Sequence, residues 1–179
     1  MNRSMRNSIL FAFLTLIALA DPLTAGDTWP EFRGPHANGH ADATSLAVTW
    51  SETENIVWKT PIHGRAWSSP VIAGRQIWLT TATEDGKELS AVCVDLNTGD
   101  ILVDRKVFDL ANPTPVHKFN SYGSPTPVVD EDHVYMCWGS FGLACLDRDD
   151  GETVWARRDL ECFHYRGPGS SPILVDDMI

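Results

Sequence analysis

The sequence predicts an all-β fold built from repeated four-stranded units, and three observations support this. Beyond residue 25 no segment shows a helical apolar period of useful length. Instead, short runs rich in β-branched and aromatic residues alternate with turns that contain Asp, Asn and Gly. The same order of runs and turns then recurs along the chain, which indicates a repeat architecture.

The repeat becomes visible when the stretch that begins at residue 68 is placed over the stretch that begins at residue 125. The spacing of matched prolines is 57 residues and then 45, because the first copy has a longer hairpin and connector. We delimit the repeats at about 68–107 and 125–160, with the start of a third at 170–179. The same prolines and turn glycines recur in these copies: Pro70, Pro127 and Pro172, with Gly99 and Gly151.

Each copy predicts four strands, A to D. Strand A is the short apolar run after the proline (71–72 and 128–129), where proline stands at the first strand residue and is tolerated. The remaining strands are predicted at 77–81, 89–95 and 101–106, and again at 134–138, 143–147 and 153–157. An Asp-to-Gly turn precedes each strand D, because Asp side chains cap such turns and Gly adopts the positive φ that they require.

Antiparallel four-stranded units of roughly 45 residues are typical of β-propeller blades. We therefore predict an incomplete β-propeller: one incoming strand at 56–60, two blades, and the start of a third blade where the chain ends. A flat sandwich is the alternative, although a sandwich does not require matching turns in every unit.

The first 25 residues predict a signal peptide. Arg3 and Arg6 precede an apolar run at 9–20, which has the length of a signal-peptide core and is short for a membrane span. Cleavage fits after Ala25 or after Ala20, and an uncleaved anchor is the other alternative. The expected organisation is a signal peptide (1–25), an extended N-terminal segment (26–55) and a partial propeller (56–179). We expect an exported protein, periplasmic or extracellular, with no transmembrane segment after cleavage.

Charge and cysteine content limit the possible partners. The net charge of −10, with no basic cluster, argues against nucleic acid as a partner. Four cysteines allow three disulfide pairings, and the sequence does not choose among them. Three of the four lie in apolar runs where cysteine acts as a small hydrophobe. Cys162 and His164 lack a partner motif, so we predict no metal site.

The repeated segments resemble a known family. "SSPVIAGRQIW", "AVCVDLNTGD" and "LACLDRDDGE" resemble the pyrroloquinoline-quinone-type propeller repeat, which quinoprotein dehydrogenases and the outer-membrane assembly factor BamB share. The opening "TWPEFRGPHANGH" resembles the first segment of secreted quinoprotein-like propellers of planctomycete-type bacteria. The resemblance covers about residues 28–179 and implies the fold more specifically than the function.

The resemblance also implies structural roles for single residues. Trp58 and Trp155 match the strand-D tryptophan that docks between neighbouring blades, and Val103 stands at that position in the first repeat. Gly99 and Gly151 match the turn glycine of the repeat. The adjacent cysteines of the quinone enzymes are absent from this chain and their calcium ligands cannot be placed, so we predict no cofactor.

The segments that enter strand A predict a ligand-binding site. In a propeller these connections gather at one mouth of the central channel, where cationic, aromatic and amide side chains suit a polar ligand or peptide. The alternative is that the aromatic side chains only plug the channel. The candidate residues are Arg65, Trp67, Asn120, Tyr122, His164, Tyr165 and Arg166.

These features predict a non-catalytic binding or scaffold module for a protein or a polar or carbohydrate ligand, and no catalytic residue is proposed. The alternative is a quinone-dependent dehydrogenase whose cofactor residues lie beyond this chain, with pyrroloquinoline quinone as its cofactor.

Overall fold

Two four-stranded antiparallel sheets make up the fold in a computed structural model that describes residues 28–43 and 46–179. The first sheet contains β1 (Val71–Ala73), β2 (Gln76–Ala82), β3 (Glu88–Asp95) and β4 (Ile101–Asp109), paired in chain order. The second contains β5 (Val128–Val129), β6 (His133–Cys137), β7 (Leu143–Asp147) and β8 (Thr153–Arg157), in the same order. The only helical element in the described residues is a 3-10 turn, Gly139–Phe141.

The prediction of an all-β fold with four-stranded antiparallel sheets is confirmed. The register agrees between the sheets, since Ile77 pairs with Val94 in the first and Val134 pairs with Leu146 in the second. Both sheets also have a register shift at the same place in the third strand, after Cys93 and after Cys145. Within the described residues the strands form two separate sheets and no closed barrel. The predicted signal peptide lies outside the described residues.

One apolar core spans both sheets. Its fully buried side chains include Trp78 and Leu89 of the first sheet, Met136 of β6, and Trp138, which follows β6. Phe108 meets Trp138 edge to face, with ring centroids 5.6 Å apart, which is a favoured geometry for aromatic pairs. This shared core holds the two sheets in contact and so positions the connectors between them.

The extended N-terminal segment lies against the first strand of each sheet. Trp29 forms two backbone hydrogen bonds with Ile72, at 2.8 and 2.9 Å, and thereby covers the free edge of β1. The next residue, Pro30, accepts a hydrogen bond from the Val129 backbone N–H at 2.9 Å. The segment therefore contacts both sheets with two successive residues.

Residues 56–60, predicted as an incoming strand, form no strand. A strand needs a partner along its edge, and no described strand pairs with this segment. The segment packs by its side chains instead: the Trp58 indole N–H donates to the Leu96 carbonyl at 2.9 Å, and the Thr60 hydroxyl donates to the Gly99 carbonyl.

The last residues form a tight turn. Val175 and Met178 exchange two backbone hydrogen bonds, at 2.9 and 3.0 Å, around Asp176, whose φ is 52°. The pairing of Val175 with Met178 is an isolated bridge and not a regular strand pair. The described part of the chain contains no helix with the length and apolar character needed to cross a membrane.

Candidate functional site

The connectors that enter β1, β5 and the C-terminal turn lie side by side. The Ser69 backbone N–H donates to the Thr126 hydroxyl at 3.0 Å, and the Thr126 N–H donates to the Ser171 hydroxyl at 3.0 Å. Each of these three residues stands directly before one of the matched prolines. The same hydrogen bond thus joins three segments that the sequence placed in successive copies.

The first connector presents a stacked cation and ring. The Arg65 guanidinium carbon lies 4.8 Å from the centre of the Trp67 ring, and 48% of Trp67 is exposed. The Arg65 guanidinium also donates to the Lys118 carbonyl at 3.3 Å, which links this pair to the second connector. A backbone bond from Trp67 N–H to the Gly123 carbonyl at 3.2 Å strengthens that link.

The third connector presents a second pair of this kind. The Arg166 guanidinium carbon lies 5.2 Å from the centre of the Tyr165 ring, and Tyr165 is 66% exposed. The His164 ring packs against the Tyr165 ring, with the two ring centroids 4.8 Å apart. The Arg166 carbonyl accepts a bond from the His117 backbone N–H at 3.2 Å. Two adjacent residues, His117 and Lys118, therefore contact the first and third connectors.

Sequence reasoning missed the pair in the second connector. The Lys118 ammonium lies 5.0 Å from the centre of the Phe119 ring, and Phe119 is 73% exposed. The adjacency of a cation and an aromatic residue in the same connector was the signal that could have identified it. We call these three cation–aromatic pairs the connector face, which consists of Arg65, Trp67, Lys118, Phe119, Tyr165 and Arg166.

In the part of the chain that the structure describes, the cations of the connector face have no carboxylate partner. Among residues 28–43 and 46–179, no Asp or Glu lies within ion-pair distance of Arg65, Lys118 or Arg166. Each cation lies instead over an adjacent ring, which attracts cations through the negative electrostatic potential of the ring face, and Arg65 also donates to the Lys118 carbonyl. An added anion would therefore find three cations here that are not paired with any carboxylate of the described residues.

Asn120, expected to face a ligand, forms hydrogen bonds within the protein instead. Its amide nitrogen donates to the Arg166 and Pro168 carbonyls at 2.8 and 2.9 Å. Its amide oxygen accepts from the Ser121 backbone N–H at 2.9 Å and from the Ser124 hydroxyl at 2.5 Å. With both ends of the amide engaged, Asn120 joins the second and third connectors and has little capacity for a ligand.

Tyr122, also expected at the mouth, is buried. Its ring lies over Gly86, where a Cβ would approach the Tyr122 ring within 2.5 Å, and against Phe141 with centroids 5.3 Å apart. Its hydroxyl donates to the Thr114 carbonyl at 3.2 Å, and burial raises the pKa of the phenol. Tyr122 is thus a core residue, because the hairpin after β2 and the turn before β7 enclose it.

The glycine turns are closely packed. A Cβ at Gly99 would lie 2.7 Å from the Trp58 ring, and one at Gly151 would lie 2.5 Å from the Val103 Cγ1. Trp58 and Val103 are thus in equivalent positions against the two turns. Trp155, in β8, has its ring centroid 6.1 Å from that of Tyr135 in the same sheet. Pro70, Pro127 and Pro172 each follow a residue of the Ser69–Thr126–Ser171 series.

Asp95 in the first glycine turn and Arg148 in the second stabilise the region opposite the connectors. The Asp95 carboxylate accepts from the Asn97 and Thr98 backbone N–H groups at 2.8 and 3.0 Å and pairs with Arg75 at 2.7 Å. The pKa of Asp95 is lowered, most strongly by the hydrogen bond from the Thr98 backbone N–H and further by those from Asn97 and Arg75. In the second sheet, Arg148 reaches across to the first sheet, donating to the Gln76 side chain at 3.1 Å and the Ala73 carbonyl at 3.1 Å.

A cavity of about 500 Å³ adjoins the third connector. It is lined by Cys137 at the end of β6 and by the segment that carries Cys162, Phe163 and His164. The described residues contain no group of three or more His, Cys, Asp or Glu side chains placed to hold a metal ion.

Comparison with known proteins yields distant structural matches and no sequence-based one. No protein-family model matches the chain, and no curated protein matches it. A solved structure of a europium-containing methanol dehydrogenase matches at 15% sequence identity with a TM-score of 0.27. The match covers 49% of this chain, which spans 23% of the length of that enzyme.

Proposed function

We propose that the two sheets are successive blades of a β-propeller, and that the protein is an exported, non-catalytic module that binds an anionic polar ligand through the connector face. Three regularities support the blade assignment: the identical strand order, the register shift at the same place in β3 and β7, and the Ser69–Thr126–Ser171 hydrogen bonds. Each regularity relates one unit to the next, as expected for stacked blades.

The observation that carries the binding proposal is the presence of three exposed cation–aromatic pairs on adjoining connectors. The chain has a net charge of −10, so three neighbouring cations that pair with no described carboxylate give the connector face a local charge opposite in sign to that of the whole molecule. Guanidinium groups bind carboxylates through two parallel hydrogen bonds, and exposed rings offer flat apolar surfaces to sugars. A carbohydrate bearing carboxylates, such as an oligosaccharide of uronic acids, satisfies both features at once.

The test is a titration of the protein with a uronic-acid oligosaccharide and with a neutral glucan of equal length, by calorimetry. We expect the uronate to bind more tightly, and salt to weaken its binding because exposed charges are screened. Trp67→Ala and Arg166→Gln should each weaken binding about 30-fold, or about 2 kcal/mol, if these residues are anchors.

Arg158→Gln is the matched control, because Arg158 also lies over a ring, that of Phe108 at 6.0 Å, but is outside the connector face. If Trp67→Ala and Arg166→Gln lower the melting temperature and leave binding of every tested ligand unchanged, the aromatic residues are a structural plug. Binding of pyrroloquinoline quinone with substrate-dependent dye reduction would instead favour the quinone-dependent dehydrogenase.

A further inference from the structure

The four cysteines differ in their access to each other and to solvent. Cys93 in β3 and Cys145 in β7 are buried in the core, on strands of different sheets. Cys137, the last residue of β6, is half-buried, and Cys162, in the connector after β8, is exposed. Only Cys137 and Cys162 line the 500 Å³ cavity beside the third connector. The fold thus separates one buried pair from one accessible pair.

The two accessible thiols face one shared cavity. Burial raises the pKa of the Cys137 thiol, and the charge of Cys162 raises it further. The Cys137 sulfur also accepts a hydrogen bond from the Gly139 backbone N–H at 3.3 Å, which keeps it at the end of β6.

Backbone hydrogen bonds fix the position of Cys137 more firmly than that of Cys162. Cys137 pairs with Leu143 in the sheet, so its position is set by the ladder. In the described structure, the only backbone hydrogen bond of segment 158–163 joins Cys162 N–H to the Leu160 carbonyl at 3.1 Å. The next link to another element is at Arg166. Cys162 can therefore move toward β6 without breaking hydrogen bonds to other parts of the fold.

We propose that Cys137 and Cys162 form a disulfide when the protein meets an oxidising thiol–disulfide couple, and that this bond ties the third connector to β6. The Cys162 thiolate attacks one sulfur of a small disulfide such as oxidised glutathione, which releases one glutathione thiolate and leaves a mixed disulfide. The Cys137 thiolate then attacks the Cys162 sulfur and releases the second glutathione. Two protein thiols are oxidised, one glutathione disulfide is reduced, and the two protons pass to the released thiolates.

The bond closes the loop from Cys137 to Cys162, which contains all of β7 and β8. Closing a loop of this size restricts the unfolded chain and raises the melting temperature on the order of 10 °C. The bond also fixes the connector two residues before His164, at one end of the connector face. The inference does not depend on what the connector face binds.

The test is disulfide mapping of the full-length protein after incubation with oxidised glutathione. Free thiols are alkylated, and the protein is digested with trypsin and chymotrypsin without reductant. Chymotrypsin is needed because Cys137 and Cys145 lie on one tryptic peptide, and cleavage after Trp138 or Phe141 separates them. We expect a peptide pair that joins Cys137 to Cys162.

Cys93→Ala is the control that keeps this pair, and Cys162→Ser is the variant that abolishes it. The melting temperature should fall on reduction in the wild type and stay unchanged in Cys162→Ser. A link from Cys162 to Cys93 or Cys145 would overturn the proposal. So would a stable glutathione adduct on Cys162, or four thiols that remain free under the oxidising couple.

Discussion

Gly99→Ala tests whether the close packing of Trp58 on the first glycine turn stabilises the fold. Gly99 has φ of 77°, and an added Cβ would lie 2.7 Å from the Trp58 ring. The left-handed backbone costs alanine roughly 1 kcal/mol, and forcing a methyl group into a packed contact costs about 1 to 3 kcal/mol more. We therefore expect Gly99→Ala to lower the free energy of unfolding by about 3 kcal/mol.

Gly39→Ala is a close control for the backbone part of this cost. Gly39 has φ of 76°, and the nearest atom to its added Cβ, the Arg33 Nε, is 4.0 Å away. The cost there is the backbone conformation alone, about 1 kcal/mol. Urea denaturation of the two variants and the wild type measures both costs, with the slope checked for constancy.

The difference between the two variants is the cost of the contact with Trp58 and with the Thr60 hydroxyl, which would lie 2.8 Å from the added Cβ. Equal losses in Gly99→Ala and Gly39→Ala would refute the reasoning, because they would show that Trp58 and Thr60 move aside at no cost. The second turn offers an independent check, since Gly151→Ala meets Val103 at 2.5 Å. Val103→Ala, which shortens that side chain, should recover part of the loss in the double variant.

Further predictions concern the contacts between and within the sheets. Arg148→Met removes the side-chain bonds to Gln76 and Ala73 and should lower the free energy of unfolding by about 3 kcal/mol in urea, whereas Arg158→Met should change it little. A similar loss in both variants would contradict the proposed role of Arg148. Thr126→Val removes the acceptor of the Ser69 N–H and should lower the free energy of unfolding by about 1 to 2 kcal/mol, with Thr53→Val as an exposed control. An unchanged free energy of unfolding in Thr126→Val would show that water replaces the hydroxyl. Because its pKa is lowered in the folded protein, Asp95 contributes stability above its unfolded pKa of about 3.9, and this contribution is lost as pH falls through the folded pKa. Asp95→Asn should therefore destabilise the protein at neutral pH, unlike Asp42→Asn at an exposed position, and should flatten the acid side of the stability profile. An unchanged acid slope in Asp95→Asn would argue against this linkage.

The positions of the strands could be predicted because each depends on local signals. Alternating β-branched residues, a leading proline and an Asp-to-Gly turn act within a few residues, and they place β1 to β8 within about three residues of their observed ends. Residues 56–60 carry the same local signal but lack a paired neighbour, so they form no strand. Pairing is a long-range property that local composition does not contain.

The site was less predictable because burial depends on which distant segments meet. Tyr122 looked like a surface aromatic residue in its connector, yet Gly86 and Phe141, from two different turns, enclose its ring. Asn120 looked free for a ligand, and only the position of the Arg166 and Pro168 carbonyls shows that it is occupied. Phe119 was overlooked because its exposure likewise depends on how the second connector folds.

The hydrogen bonds of the N-terminal segment have a consequence for the order in which a nascent chain assembles. Trp29 and Pro30 are synthesised before either sheet, but their partners Ile72 and Val129 belong to different sheets. A chain stalled before residue 128 can offer only the first of these partners, so the segment cannot dock completely. Limited proteolysis of stalled chains would then cut near Trp29 until β5 has emerged, and protection of this site would report that the two sheets have come together.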